Sequence, residues 1–171
     1  MPFRKESRLL FIPRWNNIMW TVRQTTDEYE RRRKRYAKNR ERELAAVDQN
    51  LAIYLAALNA GTMPMQVATM HSWVRTEPQG VFAIDQRTKG GEKNLAQTRL
   101  YVYPDTVSKI LHLLTIGGKD SQSDDIQFCR ECAIEISIGR DEYHEHSNKE
   151  EPLGQEPETI FERGGDGPEA S

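Results

Sequence analysis

The sequence is short of several things, and each shortage closes off a class of protein. Only two cysteines, Cys129 and Cys132, occur in 171 residues, too few for a disulfide-stapled scaffold. The longest uncharged apolar runs, such as residues 9–13 and 110–118, fall far below the roughly 20 residues that a membrane-spanning helix needs. Eleven glycines and eight prolines are an ordinary share, so neither a collagen-like nor a wholly disordered chain is indicated. P-loop, G-x-S-x-G and dinucleotide fingerprints are missing, and Gly90-Gly91 alone makes no phosphate cradle. Arg4, Lys5 and Arg8 precede a run of only Leu9-Leu10-Phe11-Ile12. A secretion signal requires an apolar core of about 7 to 15 residues, so a cytoplasmic protein is expected.

What is present suffices for one core, since 37% of the residues are hydrophobic and a chain of this length seldom supports two. The formal charge of −2 conceals an asymmetry. Beyond residue 140, ten acidic residues stand against Lys149 and Arg163, a net −8, which leaves 22 basic and 16 acidic residues in the first 140, a net +6. A basic folded part draws polyanions, and it also suits an acidic protein partner.

Three segments follow from these patterns: a weakly structured arm over 1–18, a domain over 19–138, and an acidic tail over 139–171 that lacks the apolar surface to offset ordering. Within the domain, residues 19–25 alternate as a strand with Trp20 and Val22 on one side. Thr26 with Asp27 and Glu28 supplies an N-cap and first-turn acids for a helix over 27–39. A second helix over 41–59 carries an amphipathic stripe of Leu44, Val47, Leu51, Tyr54, Leu55 and Leu58, and Gly61 stops it. Strands are expected over 67–74, 81–85 and 98–103, and a central strand over 109–116. A last helix, capped by Ser121 or Ser123, runs through 138 with a stripe of Ile126, Cys129, Ala133 and Ile136. The fold class is therefore α+β, a helical hairpin packed on a small antiparallel sheet, with a C-terminal helix and the disordered acidic tail.

Three constellations carry chemistry. Between residues 27 and 42, eight basic residues face four acids. Consecutive positions point around a helix, so the run reads either as a solvated face or as a surface for phosphates or a partner, with Arg32, Lys34, Arg35 and Lys38 the candidates for RNA. The second set is Arg87, Lys89, Lys93, Arg99, Tyr101, Tyr103 and Lys119. If Arg99, Tyr101 and Tyr103 share an open sheet face, cations are combined there with stacking platforms, as where single-stranded RNA is held. Such cations also stabilise a pentacovalent phosphate during attack by a ribose 2′-hydroxyl, with no metal required. Ordinary sheet-surface pairing is the rival reading. The third, Cys129-x-x-Cys132 with His144 and His146, has zinc-ligand types at the wrong spacing; a pair on a buried helical stripe is the better reading. His71 and His112 fall in strand patterns and read as structural.

The segments TDEYERRRKRYAKNRERELAAV, RLYVYPD and ILHLLTIGGKDSQSDDI, in that order, resemble the RelE/ParE superfamily of bacterial toxins, over residues 19–138. The resemblance implies one of two activities. RelE-like members are ribosome-dependent, metal-independent endoribonucleases that cut mRNA, and by position Arg87, Lys89 or Lys93, Arg99 and Tyr101 would be the catalytic set. Tyr103 and Lys119 would join the RNA-binding residues. ParE-like members inhibit DNA gyrase by binding and catalyse nothing. A third alternative is an inactive toxin-fold interaction protein. The implied partners are an antitoxin protein, mRNA and the ribosome, with no cofactor and no membrane. The arm before Met19 and the long acidic tail depart from the superfamily's pattern, as does the lack of a Tyr or Arg shortly after Lys119.

Overall fold

The computed structural model describes residues 19–87 and 95–147, with the helical backbone alone given for 140–147. The N-terminal arm, the loop cations Lys89 and Lys93, and the tail beyond Ser147 lie outside the described residues. The described residues up to Ser137 belong to one compact unit. Its elements are β1 (Thr21–Gln24), α1 (Asp27–Asn39), α2 (Glu41–Asn59), α3 (Pro64–Met70), β2 (Val74–Thr76), β3 (Phe82–Asp85), β4 (Thr98–Asp105), β5 (Ile110–Gly118) and α4 (Gln122–Ser147). The fold is α+β with a five-stranded sheet in the order β1-β5-β4-β3-β2.

That sheet is mixed rather than antiparallel. β1 runs parallel to β5, with Thr21 beside Ile110 and Gln24 beside Leu113, while β2 to β5 pair antiparallel. All four β1 residues are exposed, so Val22 does not share the burial of Trp20. Trp20 is held instead by its N–H on Asn59 Oδ1 at 2.8 Å and by Lys109 over its ring. The first half of the strand expected over 67–74 is helix instead. Pro64 suits a first helical turn, where its missing N–H costs nothing, and Gln66 Oε1 accepts from Met63 N at 3.0 Å. Only Val74, at the end of that span, enters β2.

Both helices after β1 form where the sequence places them. Thr26 caps α1 by accepting from Tyr29 N at 3.0 Å. One face of the sheet, with Leu100, Val102, Leu111, Leu113 and Ile116, packs against Tyr29 and Tyr36 of α1, Leu44, Val47, Tyr54 and Leu58 of α2, and Val67 of α3. Each such burial contributes about 1.5–3 kcal/mol. Arg33 adds a two-pronged bond to Asp48, 2.7 Å on each arm, between α1 and α2.

The opposite face is not open. Val81, Ala83, Tyr101 and Leu114 form a second core with Cys129 and Ala133 of α4. The nearly continuous apolar run of β5 follows from burial on both sides. A register shift between Tyr101 and Val102 leaves Leu114 without a partner across the ladder, since Tyr101 faces Thr115 and Val102 faces Leu113. The extra residue shifts the alternation, so that Leu113 and Ile116, three positions apart, reach the same core while Leu114 joins the other.

The two layers of helices are tied at Gly117. Asp125, in the first turn of α4, accepts from Arg32 Nη1 at 2.6 Å and from Ser121 Oγ at 2.6 Å, and its side chain is 1% exposed. A Cβ on Gly117 would come within 1.7 Å of Asp125 Oδ2. Gly117→Ala is therefore expected to push Asp125 off Arg32 and lower unfolding free energy by about 2 kcal/mol or more. Urea denaturation of the two proteins measures it; an unchanged midpoint would show that the ion pair tolerates the methyl group.

His112 gives a second expectation. The residue is 4% exposed, and its Nδ1 lies 2.8 Å from Thr25 Oγ1. Burial pushes its pKa below the ordinary 6.5, assisted by the charge of Arg23 and opposed by that of Asp105. Below pH 6.5 the unfolded chain then binds the proton more readily than the folded one, so stability falls as pH drops from 6.5 toward the depressed value. Above 6.5 this contribution is flat. Denaturation midpoints at pH 7.5 and 5.5 should differ for the natural chain and differ less for His112→Gln; equal differences in the two would remove His112 as the cause.

Candidate functional site

The positions singled out in the sequence separate into three groups. Arg99 and Tyr101 are buried, 3% and 0% exposed, because α4 covers the face that the alternation of β4 left for solvent. Arg99 Nε donates to Asp85 Oδ1 at 2.9 Å, and Arg75 Nε donates to Asp85 Oδ2 at 3.0 Å. Arg99 Nη1, the Tyr101 hydroxyl and Thr115 Oγ1 are buried without a hydrogen-bond partner. Burial pushes the Tyr101 hydroxyl up to about 12, with the neighbouring Arg99 acting the other way. Tyr103 is half-buried beside His112, with ring centroids 6.1 Å apart. None of the three tyrosine or arginine side chains of β4 is a free stacking platform.

The second group is occupied by acids or stands apart. Arg32 is shared by Asp125 and Glu28 and also reaches Ile116 O at 3.1 Å. Burial would lower its pKa, but the hydrogen bonds and charges of those two carboxylates outweigh it and raise it. It is a structural ion-pair partner, since a side chain that extends from the first turns of α1 can reach under the start of α4. Lys34 pairs with Glu30 at 2.7 Å on the exposed side. Lys38 and Arg87 are exposed.

The third group comes together. Arg35 of α1 and Lys119 of the turn between β5 and α4 line one cleft of about 310 Å³, with Tyr36, Arg40, Gly118 and Ser121 and the residues Ala96 and Gln97 that lead into β4. Three cations there face one carboxylate, Asp120. Arg35, Arg40 and Lys119 have no acidic partner among the described residues. Arg40 was passed over in the sequence as one more charge in the basic run. It stands between Asn39 and Glu41, where α1 has ended and α2 begins, with φ −146° and ψ 50°. The signal was the break between two helices, where a residue belongs to neither helical face.

Arg40 is also oriented. Its guanidinium lies 5.5 Å from the centre of the Tyr36 ring, a cation–π contact. Burial raises the Tyr36 hydroxyl, and the charges of Arg40 and Arg35 oppose that shift. A Cβ built on Gly118 would meet Gln97 O at 3.4 Å, the Tyr36 hydroxyl at 3.6 Å and Arg40 Nη1 at 3.7 Å. These are ordinary van der Waals distances, so α1, β5 and the strand entry at Gln97 meet around the cations without requiring a glycine at 118. A second cleft of about 290 Å³, lined by Arg35, Tyr36, Asn39 and Arg40, adjoins the first.

The neck of the loop that carries Arg87, Lys89 and Lys93 is clamped at the same end of the sheet. Besides the Asp85–Arg99 bond, the Gln86 side chain accepts from Thr98 N at 2.8 Å and donates to Ala96 O at 3.1 Å. Asn50 Nδ2 donates to Asp85 O at 2.7 Å from α2. What these groups can do chemically is hold a phosphate: cations with spare donors, set on rigid elements, facing solvent. Compared with the models of known protein families, with curated proteins and with solved structures, the chain gives no match.

Proposed function

We propose that the chain is a toxin-like, ribosome-dependent mRNA endoribonuclease of the RelE/ParE type, controlled by an antitoxin protein. The observation that carries this reading is the cleft in which Arg35, Arg40 and Lys119 converge without acidic partners among the described residues. The element order supports it as well: a strand, two long helices, a short third helix, a run of antiparallel strands and a closing helix. In the proposed reaction a ribose 2′-hydroxyl attacks the adjacent phosphorus and the 5′-oxygen of the next nucleotide leaves, which produces a cyclic phosphate without a metal. Arg40 and Lys119 hold the phosphate oxygens as negative charge builds on them. Lys89 or Lys93, both outside the described residues, assists proton transfer, and Arg87 adds charge. Arg99 and Tyr101 are positioning residues in this scheme, since Arg99 fixes the neck of the loop through Asp85 rather than touching RNA.

That division changes the choice of variant. Arg99→Ala would leave Asp85 in a buried site without one of its two guanidinium partners and would cost fold as well as activity. The informative protein is the Arg40→Ala/Lys119→Ala double variant, whose side chains face solvent. Induced in cells, the natural chain should create new mRNA 5′ ends and the double variant should not. In vitro, loss of two phosphate contacts on a single strand should lower the slope of log affinity against log salt by about 1.4. Unchanged cleavage by the folded double variant would reject the assignment, and so would blocked gyrase supercoiling with mRNA left intact.

A further inference from the structure

A surface helix typically turns charged residues to the water and an apolar stripe to the core. α1 follows that rule, with Arg31, Lys34, Arg35 and Lys38 all exposed. α2 does not. Its inward side is Leu44, Val47, Tyr54 and Leu58, and its outward side beyond Arg42 is Ala45, Gln49, Ala52, Ile53 and Ala56, all exposed and none of them charged. From Gln49 to Val74 the chain has no Asp, Glu, Lys or Arg, although 29% of its residues are charged. α3 packs beside α2, and its exposed residues are uncharged too: Met65, Gln66, Thr69 and Met70. Met65 and Met70 are 57% and 67% exposed. A helix that is apolar all round is one that is covered all round.

The nature of the cover follows from the charge pattern. Nucleic acid or an acidic protein is drawn to cations, and the outward side of α2 beyond Arg42 has none. A lipid surface is met by Trp or Phe with Lys and Arg around them, and those residues are missing from it as well. A second copy of the chain sets the opposite requirement. In a two-fold contact one patch meets itself, so any charge on it faces a like charge. With 22 basic against 16 acidic residues in the first 140, two copies repel each other over most of the surface, and least of all at α2. Gln49 is the one long polar side chain there, and an amide, donor and acceptor together, can pair with its own kind. Ala52 and Ala56, four residues apart on one ridge, let two helix axes approach to the short end of the usual 8–10 Å.

We propose that the outward face of α2 is a two-fold contact with a second copy of this chain, the two helices crossing near Ala52 and Ala56. The exposed residues from Ala45 to Ala56 span about 17 Å of helix, so even with α3 beside them the contact lies at the lower end of specific interfaces. The dimer is therefore a weak one, with a dissociation constant in the micromolar range. None of the residues on this face lines the cleft of Arg35, Arg40 and Lys119. Pairing through α2 thus stands independently of the ribonuclease reading.

The test is sedimentation equilibrium of the full chain over roughly 1–200 μM, which brackets such a constant. The natural chain should pass from the monomer mass toward twice that mass. Ala56→Lys and Ala56→Glu each set like charges against one another across the two-fold, and each should raise the dissociation constant at least tenfold. An equimolar mixture of the two variants should regain association, because Lys then meets Glu. Ala56 is exposed, so both variants should keep the urea midpoint of the natural chain, and association regained on mixing cannot come from misfolded protein. A natural chain that holds the monomer mass over the whole range overturns the proposal. A dimer that either charge leaves intact, or a mixture that associates no better than its components, overturns α2 as the contact and leaves its face to a different, apolar partner.

Discussion

Asp125 is the group on which the arrangement of helices depends. A carboxylate 1% exposed pays a heavy desolvation penalty, and three features offset it: the Arg32 guanidinium from α1, the Ser121 hydroxyl, and its place in the first turn of α4, where the helix dipole favours negative charge. It can sit there only because β5 carries a glycine at 117. One carboxylate thus joins α1, β5 and α4, and in doing so it sets the turn over 118–121. That turn carries Lys119 and Ser121 to the cleft. The cationic surface is downstream of a buried ion pair, and Arg32, the one member of the basic run that α4 captures, is the residue that makes the others useful.

A second polar cluster governs the far side of the sheet. Asp85 takes bonds from Arg75 and Arg99 and lends its carbonyl to Asn50, so the end of β3 is fixed from β2, β4 and α2 together. Glu77 lies in the same field. Burial raises its pKa, the charges of Arg99 and Arg75 oppose the rise, and Asp85 adds to it. A hydrophobic replacement of this cluster would be at least as stable on general grounds. What charged groups provide in addition is a single geometry for the end of β3 against β2, β4 and α2.

The helices were legible because their signals are local. Thr26 and the acids after it cap α1 by contacts within one turn, and the stripe from Leu44 to Leu58 repeats at the helical period. α3 was misread because seven residues are too few for a period to show, and Val67 and Val74 weigh toward strand when taken alone. The open face on β4 was misread for a different reason. Arg99, Tyr101 and Tyr103 alternate with apolar residues as on a half-exposed strand, but the cover over them comes from a helix more than twenty residues later, a tertiary fact with no local trace. The cleft was half legible. Arg35 and Lys119 were named from charge, whereas Arg40 matters through where α1 stops, a break that the helices expected over 27–39 and 41–59 had already marked.

The parallel pairing of β1 with β5 reaches beyond the folded state. Thr21 finds its partner at Ile110, so the first strand to leave the ribosome is also the one whose ladder is completed last. At ordinary rates of synthesis, 5–20 residues per second, β1 waits on the order of 5–20 s for β5 to be made. During that interval Thr21–Gln24 is an exposed edge with unsatisfied backbone groups, held near α2 by little more than the Trp20 bond to Asn59. The polar character of the strand, TVRQ, then has a use during synthesis: an edge bearing Arg and Gln waits without recruiting a neighbouring chain.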